Sequence, residues 1–353
     1  MKLKSLIMFS AAALAFAACS NDEDASMAQG DAKVKVQIST ESISRALGTP
    51  TEGTMGEERA VVVNKVTLSL SATQGAHEET FTTDESGSAL EKANKYVFEG
   101  VRLPSTLSVS INDGTQYMAV ADVQTGLAAP MYASEAIVEG DYDADTKTYT
   151  VELNPQHKSA LLEFSGISHL DEGECAFQTI TFDGVLMNGY KANENEADLV
   201  SYQNWDEAND DTDGLRDAVG ADWKTADAVW PATGCYTYNV FPGLPTLTLC
   251  YSNITATPNH VWVDGVIDGA GYATVDEYQL VKNSLTTEQK AAMGANEQGV
   301  ITEFKAGYVY RFVDLEVPDE AIGNTIIGGE DVKVIAKIQV LPWKLVSGQV
   351  TWN

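Results

Sequence analysis

The sequence predicts an all-β protein built from antiparallel β-sandwiches. Three observations carry that prediction. Short stretches of alternating apolar and polar residues recur along the chain, separated by Gly, Pro, Asn or Asp. Val, Ile, Thr, Tyr and Phe concentrate in those stretches, as suits a pleated, half-buried surface. Helical signals are confined to two short segments, so the helices are few.

At the start of the chain, Lys2 and Lys4 precede an apolar run over residues 6–18. That run is too short to span a bilayer and reads as a signal peptide, residues 1–18. It ends Phe16-Ala17-Ala18-Cys19, which resembles the lipobox of bacterial lipoproteins, with cleavage between Ala18 and Cys19 and palmitate-type acylation of Cys19. Leu is usual where Phe16 stands, and an ordinary secretory cleavage site is the other reading. Residues 19–32 form an acidic tether, led by Ser20-Asn21-Asp22-Glu23-Asp24. That cluster resembles a surface-export signal, and its low apolar content also fits a solvated linker.

Next comes Lys33-Val34-Lys35-Val36-Gln37-Ile38, whose Val34, Val36 and Ile38 share one parity. This is the pattern of a half-buried strand, expected at a sheet edge. It leads through a polar run to Arg45-Ala46 and a turn-rich loop, Gly48-Thr49-Pro50-Thr51-Glu52-Gly53. A strand followed by an accessible arginine is one that a trypsin-like protease can release, so residues 33–45 are read as a removable strand cut between Arg45 and Ala46. Arg59-Ala60 is a rival site, less accessible because it abuts the strand-forming Val61-Val62-Val63.

Strand signals then follow closely. In the first half they are residues 61–70, 96–98, 107–111, 117–120 and 149–153. Asn154-Pro155-Gln156-His157 breaks the pattern, which places an N-terminal domain over residues 33–155 and a C-terminal domain over 156–353. The second half offers residues 160–164, 178–182, 261–263, 308–312 and 332–340. It also offers a hairpin in which Cys235 precedes one strand, Pro242-Gly243 makes the turn and Cys250 ends the other. One short helix is expected from Asp213-Gly214 to Val219. A second is expected from Thr286 to Met293, with Thr286 and Gln289 at capping-box spacing and Gly294 as its stop. The tail, residues 345–353, again carries apolar residues of one parity, Val346, Val350 and Trp352. It is either the last strand of its own domain or a strand free to join another subunit.

The net charge of −29 over 353 residues argues against nucleic acid and anionic lipid as partners. Membrane attachment is expected only through lipid on Cys19. In a tight hairpin register Cys235 and Cys250 can pair as a disulfide in an exported protein; two buried thiols are the alternative, and Cys175 is left over. His77, His157, His169 and His260 lie scattered without metal-ligand spacing, and no nucleophile elbow, HExxH or phosphate loop occurs. The chain is therefore read as a non-enzyme without a cofactor. Asn209, Asp211 and Asp213 match the start of a calcium loop, but Gly220 stands where its bidentate acid belongs, so solvated acids are the better reading. The Asp141-Tyr142-Asp143-Ala144-Asp145 loop is weaker still, with Thr146 where Gly is needed.

Taken in order, these features resemble the type V pilin (fimbrillin) family of Bacteroides-type bacteria. The matching pieces are the lipobox at Cys19, Ser44-Arg45-Ala46 before its loop, and Gly56-Glu57-Glu58 leading to Val66-Thr67-Leu68. Further matches are Ala129-Pro130-Met131-Tyr132, Phe182-Asp183-Gly184-Val185 with Asn188-Gly189, residues 304–310, and the closing Trp343 and Trp352. The resemblance implies two transthyretin-like sandwich domains and an outer-membrane lipoprotein precursor. It further implies cleavage after Arg45 by an arginine-specific protease, loss of the strand bearing Val34, Val36 and Ile38, and donor-strand exchange into a cell-surface adhesive fimbria. Other copies of the chain and related fimbrial subunits are the implied partners, with Val346, Val350 and Trp352 the donor candidates and a stalk role ahead of a tip or anchor role. From another class, a monomeric glycan-binding lipoprotein could use Trp205, Trp223, Trp230 and Trp262 for sugar stacking.

Overall fold

The computed structural model describes residues 32–40, 59–72, 75–118, 129–164, 168–170, 177–191, 194, 199–200, 224–225, 235–256, 269–281, 285–312, 315–318, 321–323 and 333–345. The all-β prediction holds among them: 22 strands are joined by two short α-helices and one 3-10 turn.

The first half contains β1 (Ala32–Ile38), β2 (Arg59–Ala60), β3 (Lys65–Ala72), β4 (Gly75–Thr82), α1 (Ala89–Asn94), β5 (Val97–Val101) and β6 (Ser105–Ile111). It continues with β7 (Met131–Ala136), β8 (Tyr142–Asp143), β9 (Thr148–Leu153) and β10 (Gln156–His157). Two sheets form, one in the order β5-β1-β9-β8 and the other β10-β7-β6-β3-β4. Their inward-facing residues share one core: Val34, Val36, Tyr149 and Val151 from the first sheet, Val66, Leu68, Leu107 and Val109 from the second. α1 closes one side. Ser88 caps it by accepting from Glu91 N, and Ala89, Leu90 and Ala93 are buried. Asn112 laces the loops beneath: its Oδ1 accepts from Asn64 N at 2.9 Å, and its Nδ2 donates to Val62 O and Ala129 O at 2.8 and 3.0 Å. Tyr117 and Met118, expected in a strand, are not in one: Tyr117 lies in a bend and Met118 is irregular, packed against the core of the second half.

The second half contains β11 (Ala160–Phe164), β12 (Ser168–Leu170), β13 (Phe177–Asn188), β14 (Tyr190–Lys191), β15 (Leu199–Val200), β16 (Lys224–Thr225), β17 (Cys235–Val240), β18 (Thr246–Ala256) and β19 (Gly269–Leu280). After α2 (Thr287–Ala292) come β20 (Tyr308–Phe312), β21 (Glu316–Pro318) and β22 (Val334–Lys344). One sheet runs β13-β18-β19-β22-β20-β11-β17-β16, and it folds round a single core. The Tyr238 hydroxyl of β17 accepts from Val185 N of β13 at 2.9 Å, so strands near opposite ends of that order face each other. β17 and β18 are not ladder neighbours, which corrects the expected hairpin. The sheet is mixed: β11 runs parallel to β20 and β19 parallel to β22.

α2 follows the expectation. Thr286 Oγ1 accepts from Gln289 N, and Gln289 Oε1 accepts from Thr286 N. Gly294 ends it at φ +77°, where an added Cβ would stand 2.0 Å from the Glu303 carbonyl oxygen, so no other residue fits.

The two cores meet across a single layer of backbone. On β11, Ala160, Leu162 and Phe164 face the second core while Leu161 faces the first; on β20, Tyr310 and Phe312 oppose Val309 in the same way. β22 continues past Val340 to Lys344, and Leu341, Trp343 and Leu345 enter the first core. Residue 345, where the tail considered above begins, is thus buried within its own chain. Burial on both faces explains why Ala160-Leu161-Leu162 is continuously apolar rather than alternating.

Candidate functional site: the β1 slot

β1 is built by strict alternation. Ala32, Val34, Val36 and Ile38 are each at most 3 % exposed, whereas Lys33, Lys35 and Gln37 face solvent. The sequence reading expected an edge strand. Instead β1 lies inside its sheet, antiparallel to β5 and parallel to β9. Alternation reports which face is buried, but it cannot report whether both backbone edges are paired.

On the β9 side, Lys33 pairs with Thr148 and the ladder runs on to Ile38 beside Leu153. It is extended at both ends, with Lys33 N donating to Lys147 O at 2.9 Å and Ser39 N to Leu153 O at 2.8 Å. On the β5 side, Val34 stands opposite Phe98 and Lys35 opposite Val97, with a bulge towards Ala32. Past that point Ile38 N donates to Asn94 Oδ1, at the end of α1, at 2.7 Å. Exposed contacts add little: Lys33 to Glu99 at 3.1 Å, and Ser39 Oγ donating to Glu152 Oε1 at 2.7 Å. Without β1, a slot would remain between β5 and β9, with two open ladders and four apolar positions.

Neighbouring groups shape this end of the molecule. Lys92 of α1 holds Asp84 through a 2.6 Å contact, and Ser86 donates to the same carboxylate, which lowers its pKa to about 2. Tyr96 and Phe98 meet edge to face at 4.9 Å beside β1. Burial, followed by the nearby Glu79, raises the Tyr96 pKa.

Other residues singled out from sequence fall as follows. Arg59 and Ala60 form β2, parallel to Trp343 and Lys344 of β22, and Val61 N donates to Lys344 O at 2.9 Å. Cys250 is a buried thiol whose Sγ lies 3.8 Å from Thr248 O. Cys235 sits on β17, away from β18 in the ladder, so the close hairpin register that would pair the two is not formed. His77 contacts Glu79 at 3.1 Å, and His157 stacks on Trp343 at 5.4 Å. Asp143 accepts from Asp145 N and Thr146 Oγ1, both at 2.9 Å; the Thr146 bond, then the Asp145 bond, lowers its pKa. Among the described residues no group of three His, Cys, Asp or Glu could hold a metal ion, and no helix is long and apolar enough to cross a membrane.

Several expectations lie outside the described residues: Ala18 and Cys19, Arg45 and Ala46, Val346, Val350 and Trp352, Asn209, Asp211 and Asp213, Trp205, Trp223, Trp230 and Trp262, the strand at 261–263 and the helix near Asp213. Asn94 was missed from sequence, where nothing marks it out from other asparagines.

No protein-family profile matches the chain, and no curated protein matches its sequence. Solved structures similar to it include a fimbrilin from Porphyromonas gingivalis W83, at 14% identity and a TM-score of 0.47, covering 91% of this chain and 99% of that one. A proposed cell adhesion protein from Bacteroides eggerthii DSM 20697 is similar at 9% identity and a TM-score of 0.46, covering 90% and 98%. A fimbrial assembly protein from Parabacteroides distasonis ATCC 8503 is similar at 10% identity and a TM-score of 0.31, covering 71% and 82%.

Proposed function

We propose that this chain is a non-enzymatic structural subunit of a surface fimbria, and that β1 occupies its assembly slot until a cut after Arg45 releases it. A strand of the next subunit then takes the vacated place. The observation that carries this reading is the position of β1: a short strand at the N-terminal side of the fold, filling the middle of a sheet rather than closing its edge. Losing it exposes unpaired backbone on two neighbours and an apolar trough, both strong drives for strand addition. Refilling the places of Val34, Val36 and Ile38 is worth roughly 1.5–3 kcal/mol per side chain before ordering costs.

The pairing of Arg59 and Ala60 with β22 supports Arg45 as the cut, because a protease must take its substrate as an unpaired extended strand. The lipobox-like sequence at Cys19 supports export as an outer-membrane lipoprotein, and cleavage after Arg45 would separate the subunit from that anchor. Val346, Val350 and Trp352 remain the donor candidates, since their one-faced pattern matches that of β1. A stalk role in an adhesive fibre follows from having both a removable and a donor-like strand.

The test is limited digestion of the chain from Ser20 with an arginine-specific protease, followed by N-terminal sequencing and an unboiled gel. A new N-terminus at Ala46 and a ladder of oligomers, lost when residues 346–353 are removed, is expected. A ladder that survives that truncation moves the donor to the residues after Ala46. A cut chain that stays monomeric contradicts slot exchange.

A further inference from the structure

An occupant of the β1 slot must be held in register, and the pleat alone does not achieve this. A slip of one residue turns the apolar face to solvent and is strongly opposed. A slip of two keeps the apolar parity and opposes one β-branched residue to the place of another. In every case the backbone of the occupant needs a partner at the level of Ile38.

The β5 side supplies it. Each step forward along β1 is a step back along its antiparallel partner, so four residues past the Val34–Phe98 pair the ladder brings Ile38 opposite residue 94. β5 begins only at Val97, and the backbone before it has turned into α1. A strand carbonyl is therefore missing at the level of Ile38. The Asn94 side chain takes its place, Oδ1 accepting from Ile38 N at 2.7 Å in a part-buried setting.

Resting on the slot reading above, we propose that Asn94 completes the β5 edge of the slot: its amide oxygen accepts from the backbone N–H that an occupying strand places at the Ile38 position, first for β1 and then for the incoming strand. The occupant must then offer a non-proline residue there, with apolar side chains at that residue and at those two and four before it. Asn94 touches the occupant through one bond and is a positioning residue; the apolar burial is made by others.

The test uses the full chain treated with an arginine-specific protease and a labelled peptide of residues 32–40, made with either the native Ile38 amide or a backbone ester in its place. The ester removes the N–H and keeps the side chain. The wild-type chain is expected to capture the native peptide roughly fivefold more tightly than the ester, the worth of one net hydrogen bond. Asn94→Ala is expected to capture the two alike, and Asn94→Asp, with a charged acceptor, to enlarge the ester penalty. An ester penalty unchanged in both variants overturns the role of Asn94 while leaving slot exchange standing. Failure of every chain to capture the native peptide overturns slot exchange itself, and this inference with it. Should Asn94→Ala not fold, the Asp variant decides: a penalty that does not rise overturns the proposal.

Discussion

Arg59 lies opposite Trp343 in a parallel ladder, so the second Arg-Ala bond of the N-terminal region is already paired within the chain. Cleaving it requires β2 to open first. If that opening costs about 1.4 kcal/mol, cleavage slows about tenfold relative to an unpaired bond. Arg45→Gln is expected to slow release of β1 about tenfold and to move the new N-terminus to Ala60, and Arg59→Gln to leave the release rate unchanged, as read by the mass of the product over time.

Among the side chains of β1, those on the inward face carry the stability. Ile38→Ala is expected to lower the unfolding free energy by about 2–5 kcal/mol, the range for truncating a buried aliphatic side chain. Lys35→Ala, on the solvent face of the same strand, should stay within about 0.5 kcal/mol. Urea unfolding of the uncut chain measures both.

Glu163 and Arg311 are buried side by side on β11 and β20, with Arg311 Nε donating to Glu163 Oε2 at 2.9 Å. Removing one partner leaves a buried charge uncompensated, so Arg311→Met is expected to cost about 3–5 kcal/mol. Adding Glu163→Leu to that variant should recover most of the loss, because the stranded carboxylate goes too. A double variant less stable than Arg311→Met contradicts this account.

Acid should loosen the tether of α1. The Asp84 carboxyl is depressed from its ordinary value of 3.8 to about 2, chiefly by its bond with Lys92. A depressed acid contributes stability in full above the unfolded value, and that contribution is lost as pH falls through the folded one. The window therefore lies between 3.8 and about 2. A carboxyl NMR titration is expected to place the Asp84 midpoint at about 2, and Asp84→Asn is expected to remove the associated acid sensitivity, which added salt should also weaken.

Much of the strand content was legible because burial on one face imposes a period of two. β1 and β9 carry that pattern openly, and α2 announces itself through Thr286, Gln289 and Gly294. β19 did not, because a bulge between Val275 and Glu277 shifts its parity halfway along. β4 escaped for another reason: as the last strand of its sheet it carries His77 and Glu79 on the face it shares with Leu70 and Leu68. The six residues of α1 are too few to show a helical period. Pairing was the least legible layer. Cys235 and Cys250 look like the ends of a hairpin because they are close in sequence, yet the folded sheet sets β17 against β11 and β18 against β13. The slot shows the same limit: its lining was readable from Val34, Val36 and Ile38, but its interior position and Asn94 depend on non-local pairing.

The most direct measurement is the intact mass of subunits recovered from washed, assembled fibres. Slot exchange predicts a single species beginning at Ala46, with residues 32–38 absent from the fibre. Subunits that assemble while still carrying β1 would contradict it.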